Sequence, residues 1–180
     1  MSGPPTLPKR RSIRLPGFDY SRIGQYFVTI CAFEKRNLFG SIADEHVNLN
    51  SIGDIAEFCW IEVPKHFSAV DLGEFIVMPN HVHAILTITN RARHAVPLRE
   101  RRHAETFSHP NPHSLATIIR SYKSQVSKQI RAVLQSPKFA LWQRGFYEHV
   151  LRNSTDYANA TRYVLQNPKR WAQKQNLAPP

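Results

Sequence analysis

The stretch MPNHVHAILTI, residues 78–88, constrains the fold more than any other part of the chain. It ends one apolar run and starts another across Pro79-Asn80, a pair typical of a turn between two strands. His81 and His83 stand one residue apart at the start of the second strand. Side chains i and i+2 of a strand leave the same face, so both imidazoles can converge on one target such as a metal ion. The alternative is that both histidines lie on the polar face of a half-exposed strand.

Three further segments have strand character. Residues 25–33, QYFVTICAF, are rich in β-branched and aromatic residues, and residues 46–50, HVNLN, predict a short second strand. Residues 142–151, WQRGFYEHVL, predict the last strand. Gly40 is expected in a turn region before the second strand.

Helices are predicted where a capping residue precedes apolar residues at helical spacing. The predicted starts are Ser51, Ser114, and Asn153 or Ser154. Pro64 is expected to end the first helix, and Pro168 to stop the last one after Asn167. The resulting order, β-β-α-β-β-α-β-α, predicts an α+β sandwich in which helices pack against an antiparallel sheet.

The domain organisation follows from length and local composition. A chain of 180 residues fits one domain with a single core. Residues 1–15 predict a flexible basic arm, residues 16–172 the domain, and residues 173–180 a tail. Within the domain, residues 90–113 predict a mobile surface loop. Because no apolar run reaches about 18 residues, we expect a soluble, cytoplasmic protein without a membrane partner.

The charge of the chain indicates a polyanionic partner. The formal net charge is +11 and the sequence pI about 10.1. From Thr106 onward there are eleven Lys or Arg residues and two acidic residues, Glu148 and Asp156. Nucleic acid is the first candidate, because neutralised phosphates release counterions. A basic surface that serves solubility, or a membrane-surface patch, is the alternative.

The segment TDYANATRYVLQNP places a tyrosine and an amide at helical spacing. Tyr163 and Asn167 are four residues apart, so on one helix they would share a face about one turn apart. The pair could supply a nucleophile and a third metal ligand beside the two histidines. It could equally be a packed tyrosine near a helix C-terminus.

The ordered set of these motifs resembles the HUH-type single-tyrosine (Y1) transposases of the IS200-like superfamily. It is most similar to the repetitive-extragenic-palindrome (REP)-associated tyrosine transposases, over roughly residues 10–170. The segments that carry the resemblance are RRSIRLPGFDYS, YFVTICAFEKRNLFG, VMPNHVHAI, SLATIIRSYKS, WQRGFYEHVLRN and DYANATRYVLQNP.

The resemblance implies a ferredoxin-like sheet with the histidines on a central strand and the tyrosine on a C-terminal helix. It implies that His81, His83 and Asn167 bind a divalent metal, Mg²⁺ or Mn²⁺, and that Tyr163 is the nucleophile. Asn stands at the third ligand position, where transposases of mobile elements often have Gln. The implied activity is nicking and rejoining of single-stranded DNA at or near palindromic hairpins through a 5′-phosphotyrosine, by a monomer or a homodimer.

Basic and aromatic residues are the candidates for DNA contact. The predicted phosphate-binding residues are Arg10, Arg11, Arg14, Arg120, Lys123, Arg144, Lys169 and Arg170. Four aromatic residues could stack on unpaired bases or belong to the core: Trp142, Phe146, Tyr147 and Trp171.

Two other functions are compatible with the same residues. One is a catalytically silent nucleic-acid-binding module of the same fold, which would have no need of His81, His83, Tyr163 and Asn167 together. The other is a zinc-dependent hydrolase that uses water as nucleophile. That function usually needs a carboxylate base near the histidines, and Glu74 is the nearest in sequence.

Overall fold

The computed structural model describes residue 20, residues 22–89, residue 111 and residues 113–176. The predicted basic arm, with Arg10, Arg11 and Arg14, lies outside the described residues, as does nearly all of the predicted loop at 90–113. In chain order the elements are β1 (Gly24–Cys31), a short 3-10 turn (Phe33–Lys35), β2 (Gly40–Ala43), β3 (His46–Leu49), α1 (Ser51–Ile61), α2 (Val63–His66), β4 (Val70–Met78), β5 (His81–Ile88), α3 (Leu115–Val133), β6 (Tyr147–Leu151), α4 (Ser154–Leu165) and α5 (Asn167–Asn176).

Four strands form one antiparallel sheet in the order β4-β5-β1-β6, and β2 and β3 form a separate hairpin. This order is that of a ferredoxin-like sheet, with the hairpin inserted between β1 and α1. The predicted α+β class is therefore confirmed. Pro79-Asn80 connects β4 to β5 directly, as predicted, and β5 with its histidines occupies an inner position.

One face of the sheet, which we call the core face, carries the main hydrophobic core. Tyr26, Val28 and Ile30 alternate along β1 and are fully buried there. Helices α1 and α3 cover this face, and Trp60 of α1 packs edge-on against Tyr122 of α3 with ring centroids 5.0 Å apart. Alternation along β1 leaves Phe27 and Thr29 on the other side.

Helix α4 covers part of that opposite face, which we call the site face. Tyr163 of α4 contacts Phe27 edge-on, with ring centroids 5.9 Å apart. Where α4 crosses β4, residue 73 is a glycine, and an added Cβ would lie 2.8 Å from the hydroxyl of Tyr157 and 3.0 Å from Cγ2 of Ile85. The missing side chain therefore allows α4 to approach the sheet closely.

Several predicted boundaries differ from the structure. Gly40, which was expected in a turn region, begins strand β2, which pairs with β3 across the two-residue turn at Asp44 and Glu45. With only four residues, GSIA, β2 is too short to give a clear strand pattern in the sequence. Asn50 caps α1 with its side chain, although the helix was expected to start with Ser51 as its cap. The last strand is shorter than predicted, since only Tyr147–Leu151 pairs with β1.

The prediction that one last helix runs to Asn167 and stops at Pro168 is wrong. Helix α4 ends at Leu165, Gln166 caps it, and α5 begins at Asn167 with Pro168 as its second residue. Proline has no N–H and its fixed φ suits the first turn of a helix, so it terminates α4 and starts α5.

None of the helices among the described residues has the length and apolar character that a membrane span requires.

Candidate metal and tyrosine site

The sheet register brings residues of β1 beside the two histidines. Thr29 is the cross-strand partner of His83, and Cys31 is the partner of His81. All four side chains therefore leave the sheet on the site face. The two imidazole centroids are 4.4 Å apart, and His83 is only 5% exposed. The predicted convergence of the two rings is present in the structure.

Asn80 fixes the orientation of the His81 ring. Its amide nitrogen donates to the carbonyl oxygen of Lys35 at 3.0 Å, and its amide oxygen lies 2.7 Å from Nδ1 of His81. A carbonyl can only accept, so the amide oxygen faces the histidine, and Nδ1 carries the proton that it donates. The Nε2 atom of His81 is left as the electron-pair donor.

Thr29 has the corresponding position beside His83. Its hydroxyl oxygen lies 2.9 Å from Nδ1 of His83. The His83 ring also stacks on Phe27, with centroids 5.2 Å apart and an interplanar angle of 28°. A hydrogen bond at Nδ1 and a packed ring face are what orient a histidine that binds a metal through Nε2.

Burial keeps both histidines neutral. It lowers the pKa of His81 to about 4, with a smaller contribution from the positive charge of Lys35. It lowers the pKa of His83 to about 3, to which His81 contributes, while a hydrogen bond with the Val28 backbone opposes the change. Neutral imidazole is the form that binds metal ions, so both rings are ready for this at physiological pH.

Tyr163 extends from α4 over the same part of the sheet. Its ring centroid lies 5.1 Å from that of His83, at an angle of 70°. The side chain is 39% exposed, so it is accessible from solvent while one edge packs on the sheet. The guanidinium carbon of Arg170 lies 5.3 Å from the Tyr163 ring centroid. A cation therefore stands beside the predicted nucleophile.

Helix α5 brings Trp171 to the site, and Asn167 is the buried first residue of the same helix. Asn167 is 7% exposed, and the Trp171 ring lies against His81 with centroids 5.8 Å apart. Tyr163 and Asn167 were expected on one continuous helix. They lie instead on either side of the break at Gln166, which lets the direction of the chain change between them.

The donor set fits a hard or borderline divalent ion. Two neutral imidazoles and the buried amide of Asn167 are the candidate ligands, whereas no group of three His, Cys, Asp or Glu side chains suited to a metal occurs among the described residues. Nitrogen donors with one amide oxygen can bind Mg²⁺ or Mn²⁺ and would bind later transition metals more tightly. The metal-binding and nucleophilic roles of these residues remain predictions.

Of the predicted DNA-binding residues, two flank the site on α5. Lys169 forms an ion pair with Glu45 of the β2–β3 turn at 3.3 Å, and Arg170 lies over Tyr163. The pair with Glu45 connects α5 to the hairpin. DNA contact by Lys169 and Arg170 remains a prediction.

The other described candidates lie along α3 and the turn before β6. Arg120 and Arg144 are exposed. The ammonium group of Lys123 donates to the carbonyl oxygens of Gln143 at 2.7 Å and Gly145 at 2.9 Å, so it supports this turn. An open groove of about 950 Å³ lies beside these residues on the outer side of α3, and Arg120, Lys128 and Arg131 line it.

The four aromatic candidates for base stacking divide into two groups. Trp142 packs against Phe39 and Tyr122, and Phe146 packs on the same core. Tyr147 is 43% exposed on the edge strand β6, where it is the cross-strand partner of Thr29. Trp142 and Phe146 thus belong to the core, while Tyr147 on β6 and Trp171 beside His81 are placed near the site.

Sequence reasoning missed Thr29, Asn80 and Lys35 as neighbours of the histidines. Asn80 adjoins His81 in the sequence, and its turn position was the one available signal. Thr29 is 54 residues from His83, and only the β1–β5 register brings the two together.

Comparisons with known proteins place the chain in a family. No family model matches it. A protein of Haemophilus influenzae (strain KW20 / Rd), described as uncharacterized, is 35% identical over 168 residues, which are 92% of this chain and 92% of that protein. A solved structure of a REP-associated tyrosine transposase bound to a REP hairpin superposes with a TM-score of 0.54 at 19% identity, over 82% of this chain and 67% of that one. The chain therefore belongs to the same family as the H. influenzae protein and has the fold of a REP-associated tyrosine transposase.

Proposed function

We propose that the protein is a metal-dependent transposase that nicks and rejoins single-stranded DNA at or near palindromic hairpins. The observation that carries this proposal is the position of Tyr163, whose ring lies 5.1 Å from that of His83 while the hydroxyl-bearing side chain stays partly exposed. A neutral pair of histidines beside an accessible tyrosine fits a phosphoryl transfer with tyrosine as nucleophile.

His81, His83 and Asn167 would hold the divalent ion, Mg²⁺ or Mn²⁺. When bound, such an ion neutralises charge on a phosphodiester and orients its phosphorus for in-line attack. Asn80 accepts from Nδ1 of His81 and so leaves its Nε2 free for a metal, and the Thr29 hydroxyl orients the His83 ring through Nδ1. Arg170, whose guanidinium carbon lies 5.3 Å from the Tyr163 ring centroid, would add positive charge beside the phosphodiester under attack.

The proposed reaction is a transesterification at phosphorus. The hydroxyl oxygen of Tyr163 forms a bond to phosphorus and releases its proton to solvent. The bond between phosphorus and the 3′ oxygen breaks, and that oxygen takes up a proton to become a free 3′-OH. The phosphoester is retained as a 5′-phosphotyrosine, so a second 3′-OH can attack it and rejoin the strands without ATP.

The proposed substrate is DNA with hairpins. The formal net charge of +11 favours a nucleic-acid partner, and the structural neighbour was solved with a REP hairpin. Arg120, Arg144, Lys169 and Arg170 are the described candidates for phosphate contact. We place the protein in the cytoplasm with its DNA, acting as a monomer or a homodimer.

A covalent-capture assay tests the proposal. Wild type and Tyr163→Phe are incubated with 5′- and 3′-labelled hairpin-bearing oligonucleotides, in Mn²⁺ or EDTA, and resolved on denaturing SDS gels. We expect a covalent protein–DNA band with the label on the 5′-phosphate side, which requires Mn²⁺ and disappears in Tyr163→Phe. Cleavage that persists in Tyr163→Phe would indicate a metal hydrolase. Binding without cleavage on every hairpin tested would favour the silent binding module.

A further inference from the structure

The segment 32–36, which follows β1, has an uncommon backbone. Glu34 and Lys35 have φ angles of 53° and 54°, which is the left-handed region. Non-glycine residues seldom adopt this conformation, and those that do concentrate at functional sites. Neither residue is buried, so core packing does not explain the conformation.

Hydrogen bonds hold this segment at several points. The backbone N–H of Ala32 donates to the carbonyl of Asn80, and that of Phe33 to the carbonyl of Leu141, both at 2.8 Å. The guanidinium of Arg36 donates to the carbonyl of Ala140 at 3.2 Å. These contacts fix both sides of the turn, so the exposed side chain of Lys35 starts from a rigid backbone.

Asn80 connects Lys35 to the metal site. One amide group of Asn80 binds both the Lys35 carbonyl, at 3.0 Å, and the ring of His81, at 2.7 Å. The backbone of Lys35 is therefore two hydrogen bonds away from the His81 ring, and its exposed side chain extends from that point. No carboxylate of the described residues forms an ion pair with its ammonium group.

An unpaired cation at this position opposes the binding of a divalent ion, because like charges repel. The arrangement becomes favourable when an anion lies between the lysine and the metal. A phosphodiester is such an anion and can accept hydrogen bonds from an ammonium group while its other oxygens face the metal.

We propose that Lys35 binds a phosphate of the DNA strand at the metal site, and that the left-handed turn at Glu34 and Lys35 holds it there. This inference rests on the proposed function, since it needs a DNA strand at His81 and His83. It adds a substrate-binding residue that lies on neither the tyrosine helix nor the histidine strand.

The test compares Lys35→Ala, Lys35→Arg and Lys35→Gly with Lys65→Ala as a matched control. Lys65 is an exposed lysine on α2, at the end of the sheet where Val70 pairs with Ile88, which is the end remote from His81. All variants carry Tyr163→Phe, so DNA binding is measured without cleavage. The readouts are affinity for a hairpin-bearing oligonucleotide in Mn²⁺ and in EDTA, Mn²⁺ affinity of DNA-free protein by electron paramagnetic resonance, and the urea midpoint.

For Lys35→Ala we expect a loss of about tenfold in DNA affinity in Mn²⁺, with a smaller loss in EDTA and in the Lys65→Ala control. Lys35→Arg should retain most of the affinity. Mn²⁺ affinity of the DNA-free protein should stay the same or rise, because a repelling charge is gone. Lys35→Gly should lose DNA affinity equally and keep or raise the urea midpoint, because glycine adopts the left-handed region without strain.

Three results would overturn the inference: equal DNA affinity in Lys35→Ala and Lys65→Ala, a fall in Mn²⁺ affinity of the DNA-free Lys35 variants, or a lower urea midpoint for Lys35→Gly. The last two would indicate that Lys35 merely supports the fold. These measurements do not depend on cleavage. A wild type without any covalent product would contradict the proposed function, while the binding data would still decide the role of Lys35.

Discussion

At the scale of single residues, hydrogen bonds with Thr29 and Asn80 orient the two histidine rings. Nδ1 of His81 donates to Asn80, which leaves Nε2 of His81 as the electron-pair donor, and the Thr29 hydroxyl fixes the His83 ring through its Nδ1. Such outer contacts orient a ligand and raise its basicity, and their loss commonly costs about 10- to 100-fold in metal affinity. Thr29 is the simpler one to change, because Val has the same shape and suits a strand equally well.

We therefore expect Thr29→Val to reduce Mn²⁺ affinity by about 10- to 100-fold with little change in stability. Electron paramagnetic resonance titration of free Mn²⁺ measures the affinity, and the urea midpoint measures stability. Thr29→Ser keeps the hydroxyl and should bind Mn²⁺ like wild type. Equal affinities for the Val and Ser variants would contradict the role of this hydrogen bond.

The lowered pKa values of His81 and His83 predict acid sensitivity of the metal-free protein. The unfolded chain takes up protons on both imidazoles near pH 6.5, whereas the folded protein resists protonation down to about pH 4 at His81 and about pH 3 at His83. Since the unfolded state then binds more protons, stability falls as pH decreases from about 6.5 towards 4, by up to about 1.4 kcal/mol per pH unit for each histidine.

Urea unfolding in EDTA at a series of pH values between 7 and about 4 measures this loss, over the range that the pKa shifts define. In His83→Gln one titrating group is absent, so the dependence on pH should become clearly less steep than in wild type. An unchanged slope in that variant would show that His83 is not held neutral by burial.

The histidines and the tyrosine could be recognised from sequence because each signal is local. An H-x-H on a predicted strand fixes the shared face of His81 and His83 without knowledge of the partner strands. Thr29 and Lys35 could not be assigned to the site in this way, because β-pairing and a left-handed turn bring them there. Contacts that depend on register between distant segments are invisible to local patterns.

At the scale of elements, the packing of α4 on β4 sets the position of the tyrosine. Gly73 leaves room for the hydroxyl of Tyr157, which would lie 2.8 Å from an added Cβ. Tyr157 and Tyr163 lie on the same helix, so a displacement at the first is transmitted to the second. We therefore expect a side chain at residue 73 of β4 to displace α4 and, with it, Tyr163.

Gly73→Ala should destabilise the protein by about 1–3 kcal/mol, as overpacking typically does, and slow DNA cleavage. In Gly73→Ala combined with Tyr157→Phe the clashing hydroxyl is absent, so part of both losses should be recovered. Wild type, the two single variants and the double variant form a double-mutant cycle. Urea unfolding and single-turnover cleavage of these four proteins give the coupling energy between residues 73 and 157. Additive effects of the two substitutions would mean that the hydroxyl of Tyr157 does not limit the approach of α4.

Lys123 is a basic residue whose charged group stabilises the turn before β6. Its ammonium donates to two carbonyls of the turn before β6, and burial lowers its pKa to about 8. We expect Lys123→Met to cost about 1–3 kcal/mol, because two carbonyls of the turn lose a charged donor. Lys128→Met on the exposed side of the same helix should change stability by less than about 0.5 kcal/mol.

Urea midpoints of the two variants decide this prediction. Equal midpoints would mean that water replaces the ammonium group of Lys123 at no cost. The sequence predicted Lys123 as a phosphate contact because a lysine on the polar face of a helix looks the same in both roles. Only the position of the Gln143 and Gly145 carbonyls distinguishes them.

Element order and type were predictable because strand alternation, helix caps and the Pro79-Asn80 turn are strong local signals. The break between α4 and α5 was not, since Pro168 ends one helix and starts another with a single capping residue between them. A proline after a periodic segment predicts an end, whereas the packing of Trp171 against His81 is what makes a new helix favourable.

At the scale of the whole molecule, the basic groove and the tyrosine site lie on opposite sides of the sheet. The groove runs along the outer side of α3, which covers the core face, while Tyr163 stands on the site face. We therefore expect Arg120, Lys128 and Arg131, on the outer side of α3, to contact a different part of the DNA from the phosphate that Tyr163 attacks. If the groove binds DNA, it holds another part of the same molecule, such as a hairpin stem.

This separation predicts that binding and chemistry respond to different substitutions. Replacing Arg120, Lys128 and Arg131 with Gln should weaken the binding of hairpin DNA. It should also reduce the slope of log affinity against log salt by about 2–3 units, since each lost phosphate contact removes about 0.7 to 0.9. The single-turnover cleavage rate at saturating DNA should stay as in wild type. Tyr163→Phe should show the reverse pattern, with normal affinity and no covalent product.

Fluorescence anisotropy with a labelled hairpin between roughly 50 and 200 mM salt gives the slope, and denaturing gels give the rate. A single-stranded oligonucleotide without a hairpin serves as control, because it should lose less affinity from the triple substitution if the groove holds a duplex stem. An unchanged slope together with a slower reaction would place the groove at the reacting strand. That result would contradict the two-sided arrangement, in which one face of the sheet anchors the DNA and the other cuts it.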